Sequence, residues 1–568
     1  MKKIYLVETE TLLKWTWAEI EPHYQKLQAF ELNTGNVDAW LKDWSDLTRR
    51  VYEIPTRLVV RTWVNTADEE GKRLYSNFLD TIFPKIEEAE NGLNKKILDS
   101  KLEPKNLRIA LRNMRAEADL FREENLPLRS EEEKTGLEYN KIRAAQTIEW
   151  ANEERTVAQM YPLQLEKDRA TRETAMRMVL ERQYADFEAL GEIWIKLMEI
   201  RRQVARNAGK ADYRAYQWQN KRRFDYTPED AKSFHRAIEE VVVPATARIR
   251  ERRRKILDVA TLRPWDTEAD SNGLDPIRPF KTMDELNRGM KRIFDKVDPD
   301  FGDRYQTMLT EGLLDLENRK NKAPGGYCTM FPVAHRPFIF MNSVGTHADV
   351  NTLLHEGGHS FHVFETAGTD LFHNIKYSPA EFNEVASMAM ELLGGRYLME
   401  SGMYTAAEAA QARIKDLETH LLSWPSMAVA DALQHWIYEN HHLASDPVRV
   451  SEKWSELYDR YMVGLDWSDL EQYKAACWQS IQHIYLWPFY YVEYGLAQLG
   501  ASQIWANSLA DYPGAVKAYR KALSLGATVT LPELFAAAGA KFSFDAATLK
   551  RSVDLIERTI EELDSAHL

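Results

Sequence analysis

His355-Glu356-Gly357-Gly358-His359 constrains this chain more than any other stretch, because it sets two imidazoles four residues apart with a carboxylate beside the first. On an α-helix, positions i and i+4 share a face, so both rings reach one metal ion while Glu356 projects toward its open side. The pattern is HExxH, which binds zinc and activates water for hydrolysis. Local sequence predicts a helix over about 347–367. Thr346 with Asp349 has the form of a capping box, Val350, Leu353, Leu354, Phe361 and Phe364 recur at helical spacing, and Gly368 is a stop. Glycine inside a helix costs about 1 kcal/mol relative to alanine, so Gly357 and Gly358 imply that substrate or a crossing helix comes close to the backbone.

Six of the 14 histidines fall between residues 335 and 373. His335, His347 and His373 are read as ordinary core or surface residues; His355 and His359 are read as ligands. The third ligand is not a histidine six residues beyond His359, since that position is Glu365. A carboxylate from a second helix remains. Ser378-Pro379-Ala380-Glu381 reads as a helix start, with Ser378 as N-cap, Pro379 at the first helical position and Glu381 folding back as a cap. Glu384, one turn on, is then free to face the metal, followed by the apolar stripe Val385, Met388, Leu392 and Gly395. The ligand set is His355, His359 and Glu384, holding one Zn2+ per chain.

Three protein ligands leave a position for water, as in catalytic zinc sites; structural zinc is usually closed by four ligands, often thiolates. Only Cys328 and Cys477 are present, far apart, which argues against both a thiolate cluster and a disulfide framework. Zinc lowers the pKa of its water, and Glu356 is the base that takes the proton. The developing oxyanion then needs a donor. The segment His483 to Tyr494 supplies candidates: Pro488 reads as the start of a helix on which Tyr490 and Tyr494 are i, i+4 neighbours.

These residues resemble the oligoendopeptidase F branch of the thimet oligopeptidase family of zinc metallopeptidases. The resemblance runs from about residue 200 onward, through Ala323 to Cys328, Ile339 to Asn342, Asp349 to His362, Phe382 to Ser387 and Pro488 to Tyr494. It implies a mainly α, large, two-lobed helical zincin-type metallopeptidase with a deep central substrate channel and a small β-sheet beside the HExxH helix. It implies an endopeptidase that cuts internal bonds of short peptides by attack of a zinc-bound water activated by Glu356. It also makes His483 with Tyr490, Tyr491 or Tyr494 the group contacting the substrate carbonyl and its oxyanion. A carboxypeptidase or aminopeptidase on a similar helical frame is the alternative reading, with a non-catalytic helical interaction protein behind it. Retention of Glu356 weighs against the last, since holding zinc does not require that carboxylate.

The 568-residue chain, 44% hydrophobic, is long enough for one or two large lobes. The division expected is a helical N-terminal lobe over 1–205 and a catalytic domain over 206–568. In the first, Met176, Leu180, Tyr184, Phe187, Leu190, Trp194 and Leu197 form a sustained helical stripe. Thr227-Pro228-Glu229-Asp230 reads as a helix start, and the stretch from Arg263 through Asn272-Gly273 to Pro279 as turns. The one convincing strand is Phe338 to Met341, with Gly325-Gly326 nearby as a loop or turn. A strand edge there would hydrogen-bond an extended peptide without demanding particular side chains. A net charge of −13 argues against nucleic acid and anionic membranes as partners. Met1-Lys2-Lys3 is followed by four apolar residues, too few for a signal-peptide core, and no apolar run reaches membrane-spanning length, so the expected location is cytoplasmic. Short peptides are the expected partners; the oligomeric state is left open.

Overall fold

The computed structural model describes residues 11–104, 107–269, 276–319, 321–323 and 325–565. The segment Met1–Lys3 and the Asn272-Gly273 turn lie outside the described residues. The elements that position the site are, in chain order, helices α1 (Val37–Val64), α2 (Phe187–Asn207), α3 (Met283–Val297), α4 (His347–Thr366), α5 (Ala380–Gly394), α6 (Ala406–Glu439), α7 (Gln482–Leu486) and α8 (Tyr491–Ala510). Strands are β1 (Thr147–Trp150), β2 (Glu153–Thr156), β3 (Leu314–Glu317), β4 (Tyr327–Phe331) and β5 (Arg336–Ser343). Helices dominate, as expected. No helix is long and apolar enough to cross a membrane among the described residues.

The chain forms two compact units, each assembled from three stretches. One comprises residues 1–119, 278–409 and 500–542; the other 120–277, 410–499 and 543–568. The linear division at residue 205 falls inside α2, within the second unit. Periodicity along one helix reports which face is buried and carries no information about which distant helix buries it.

In the first unit, α1 buries Trp40, Leu41, Trp44, Leu47, Val51, Ile54 and Leu58, a stripe with the three- and four-residue spacing of one helix face. That stripe joins a core with Leu93, Ile97, Leu107, Leu111, Met114, Leu371 and Tyr377. A three-stranded sheet in the order β3-β5-β4 lies in the same unit, β5 parallel to β3 and antiparallel to β4. The predicted strand is thus the central one, and its Phe338, Ile339, Phe340 and Met341 are all buried. Strands β3 and β4 are the two edges. Gly325, at φ +98°, lies in a turn tied down by Asn342, whose Nδ2 donates to the carbonyls of Ala323 (2.8 Å) and Gly325 (3.0 Å).

In the second unit, β1 and β2 form a hairpin that the sequence reading missed. Its turn residues, Ala151 and Asn152, both adopt positive φ, as a type I′ two-residue turn requires, but Ala-Asn lacks the Asn-Gly or Asp-Gly signature. The sustained stripe from Met176 to Leu197 proves to be two helices, Arg169–Tyr184 and α2, broken at Ala185-Asp186. Thr227 caps the helix Pro228–Ala237 as expected, accepting from the Asp230 N–H.

Candidate metal centre and its polar surroundings

Helix α4 begins where its sequence says. The Asp349 carboxylate accepts from the backbone N–H of Val344 (2.9 Å) and Thr346 (2.7 Å), which satisfies donors at the helix entrance and fixes its direction. The glycines of the motif answer to packing. A Cβ on Gly358 would meet the Ala386 carbonyl and lie 2.6 Å from Ser387 Cα of α5. One on Gly357 would lie 2.6 Å from Phe294 Cζ of α3. On α5, Gly394 reciprocates, with Leu354 Cδ2 2.6 Å from its Cβ position. A crossing helix, then, is what approaches the α4 backbone.

The start of α5 differs from expectation. Its N-cap is Pro379, with no side-chain cap, and Ser378 Oγ is buried without a hydrogen-bond partner. Pro379 cannot open the helix as its first residue because its ψ of 132° is extended, so the helix start moves by one position and the side-chain cap expected of Ser378 is absent. Glu381 is buried. Glu384 keeps the place expected of it.

The close crossing brings Glu384 Oε2 to 3.4 Å from His355 Nε2 and 3.7 Å from His359 Nε2. Ligand atoms of these three side chains lie within 4.8 Å of one another, and they are the one such cluster of three among the described residues. Zinc bonds of about 2.0–2.1 Å at tetrahedral angles separate ligand atoms by about 3.4 Å, so this donor set fits the ion. His355 is held from behind: its Nδ1 meets Glu391 Oε1 at 2.6 Å, and Asn351 Nδ2 donates to Glu391 Oε2 at 3.3 Å. Ser387 Oγ donates to Glu384 Oε2 at 3.1 Å.

Glu391 was missed in the sequence, yet it lies seven residues, two helical turns, beyond Glu384 and so shares its face. A ligating histidine needs a partner at its other ring nitrogen, and that need was the available signal.

Glu356 is 6% exposed, and its Oε2 has no hydrogen-bond partner. Burial pushes its carboxyl up to about 7, against the pull of His355 and of the Cys328 N–H. Burial opposes the charged form of His355, but hydrogen bonds to Glu384 and Glu391 override it and raise its pKa well above the usual value. His359 is lowered by burial to about 4 despite Glu384.

The other histidines of the cluster stand apart from this donor set. His335 occupies the β4–β5 turn at φ +49°, His347 bonds the Tyr404 hydroxyl at 2.9 Å, and His373 is buried edge-on to Trp44. His362 is buried, with Nε2 unpaired and its pKa pushed down to about 3 by desolvation.

In the second unit, His483 gathers the three tyrosines. Its ring centroid lies 5.3 Å from those of Tyr490 and Tyr491 and 5.8 Å from that of Tyr494. Pro488 does not start the helix, as its sequence suggested. It lies in a turn with Phe489 at φ +65°, and α8 begins at Tyr491. Tyr490 and Tyr494 still meet, 5.0 Å between centroids.

Residues 163–553 match peptidase family M3. The chain belongs to peptidase family M3. That match spans both the HExxH helix and the His483–Tyr494 segment, and M3 is a family of metallopeptidases. Among solved structures, the M3 chain is similar to PZ peptidase A bound to its inhibitor 2, with 25% identity, TM-score 0.90 and coverage of 97% of this chain and 98% of that one. A protein assigned as oligoendopeptidase F matches at 25% identity and TM-score 0.90 over 98% of both chains. Another so assigned, from Bacillus anthracis str. Ames, matches at 22% identity and TM-score 0.85 over 98% of both, a likeness of fold. No curated protein matches the chain. The resemblance to the oligoendopeptidase F branch therefore holds, and the chain is a peptidase of M3.

Proposed function

We propose that the chain is a zinc-dependent oligoendopeptidase that hydrolyses internal bonds of short peptides. One observation carries this reading: the donor atoms of His355, His359 and Glu384 are spaced for one zinc ion, beside the unpartnered carboxylate oxygen of Glu356. Zinc, when bound there, supplies a Lewis acid that makes water acidic near neutral pH. Glu356 takes the proton from the water that attacks the peptide carbonyl and then delivers it to the departing amine. His483 and one of Tyr490, Tyr491 and Tyr494 donate to the carbonyl oxygen as charge builds on it.

The edge position of β4 supports binding of an extended peptide by main-chain hydrogen bonds, which would make cleavage tolerant of sequence. The test is a pool of peptides of about ten residues, blocked at both ends. Internal cleavage that stops on chelation and returns with zinc is expected. Dependence on a free terminus would assign an exopeptidase instead.

A further inference from the structure

Phe489 is the strained point of the segment that carries the proposed carbonyl contacts. Its φ of +65° is costly for a bulky aromatic residue, yet the side chain is fully buried. The surroundings over-determine it. Its N–H donates to Gln434 Oε1 of α6 at 2.9 Å, and its carbonyl accepts from Arg223 Nη2. Its ring packs against His435 (5.3 Å), Tyr438 (5.4 Å) and Trp218 (5.9 Å).

Arg223 also pairs with Glu493 at 2.6 Å, and Lys221 Nζ reaches the same carboxylate oxygen at 3.1 Å while lying 5.0 Å over the Tyr490 ring. Upstream, the fully buried Arg201 donates to the Tyr485 carbonyl, to Glu132 Oε1 (2.7 Å) and to the Tyr438 hydroxyl (3.0 Å). Two buried guanidiniums thus grip carbonyls on either side of Leu486-Trp487-Pro488. Buried charges contribute little net stability compared with well-packed apolar residues, so their placement here points to a demand for geometry.

We propose that Gln434 and Arg223 are positioning residues that hold Phe489 in its left-handed turn and thereby aim Tyr490, Tyr491 and Tyr494 around His483. With Phe489 in a helical conformation, α8 would extend back toward Pro488 and carry Tyr490 onto the helix. With the turn, α8 starts at Tyr491, and Tyr490 approaches His483 from outside the helix. This inference rests on the proposed role of the His483 group, and the experiment separates the two.

Gln434→Met removes the acceptor at similar length, and Arg223→Lys keeps a charge for Glu493 without the fork; the second carries the test if the first does not fold. Each is measured on a blocked peptide, alone and combined with whichever of Tyr490→Phe, Tyr491→Phe and Tyr494→Phe lowers kcat most. Expected is a loss of about tenfold or more in kcat with KM within about twofold, shrinking to less than about twofold once the tyrosine hydroxyl is gone. Equal losses in both backgrounds would mean a merely structural role and overturn the proposal, as would an unchanged kcat. If none of the three Tyr→Phe variants nor His483→Ala moves kcat beyond about threefold, the carbonyl-contact reading itself has failed, and the positioning proposal with it.

Discussion

Gly358 of α4 lies so close to Ser387 of α5 that a Cβ on it would sit 2.6 Å from the Ser387 Cα, closer than such atoms ever approach. The helix carrying two histidines and the helix carrying Glu384 therefore meet at Gly358, one of the two glycines between the histidines.

Gly358→Ala should force α4 and α5 apart and remove zinc along with stability. Overpacking typically costs about 1–3 kcal/mol, and backbone atoms as the obstacle put this case at the upper end. Gly368→Ala, which meets nothing within 4 Å, is the control. Metal content and thermal melting of the two variants check this; a Gly358→Ala protein with full zinc would show that the crossing is not what sets the ligand spacing.

Glu391→Gln should weaken zinc binding while leaving the fold in place. The carboxylate at His355 Nδ1 orients the ring, and loss of such a partner typically costs about 10- to 100-fold in metal affinity. Competition with a chelator of known affinity measures it. Unaltered affinity would remove Glu391 from the account.

The sequence made α4 and β5 legible through spacing within one element or a strongly apolar run, and it pointed to Glu384 on a second helix through the need for a third ligand and the family resemblance. It did not reveal Glu391, whose part depends on how α4 and α5 cross, nor the turn at Phe489, which opposes the local preference of Pro488 and is held by Gln434 and Arg223 from distant segments. The cap at Ser378 failed for a local reason: the extended backbone of Pro379 moved the helix start by one residue.

His373 makes acid stability testable. Burial pushes its pKa down to about 3, helped by Lys376 and Arg49, and neither ring nitrogen has a hydrogen-bond partner. Above pH 6.5 the imidazole is neutral folded or unfolded and contributes no pH dependence. As pH falls below 6.5 the unfolded chain takes up a proton that the folded chain refuses until about pH 3, so stability is lost across that window. His373→Leu should flatten the acid limb by roughly 1.4 kcal/mol per pH unit between pH 6 and 4. Parallel stability curves would mean that His373 titrates normally in the folded protein.

Single Tyr→Phe substitutions at 490, 491 and 494 should single out one hydroxyl whose loss lowers kcat about 10²- to 10³-fold with little change in KM. Removing the hydroxyl of a tyrosine that only packs should leave kcat within about threefold. Steady-state kinetics on one blocked peptide decides among them.

The central claim is that Glu356 moves the proton while His355, His359 and Glu384 hold the metal, and Glu356→Gln separates the two tasks most directly. The amide keeps the shape of the carboxylate but cannot accept a proton. Zinc content and turnover of a blocked peptide should be measured on the same preparation. The account predicts one zinc per chain retained and kcat lowered by about 10²- to 10⁴-fold; zinc retained with kcat within a few-fold of the wild type would contradict it.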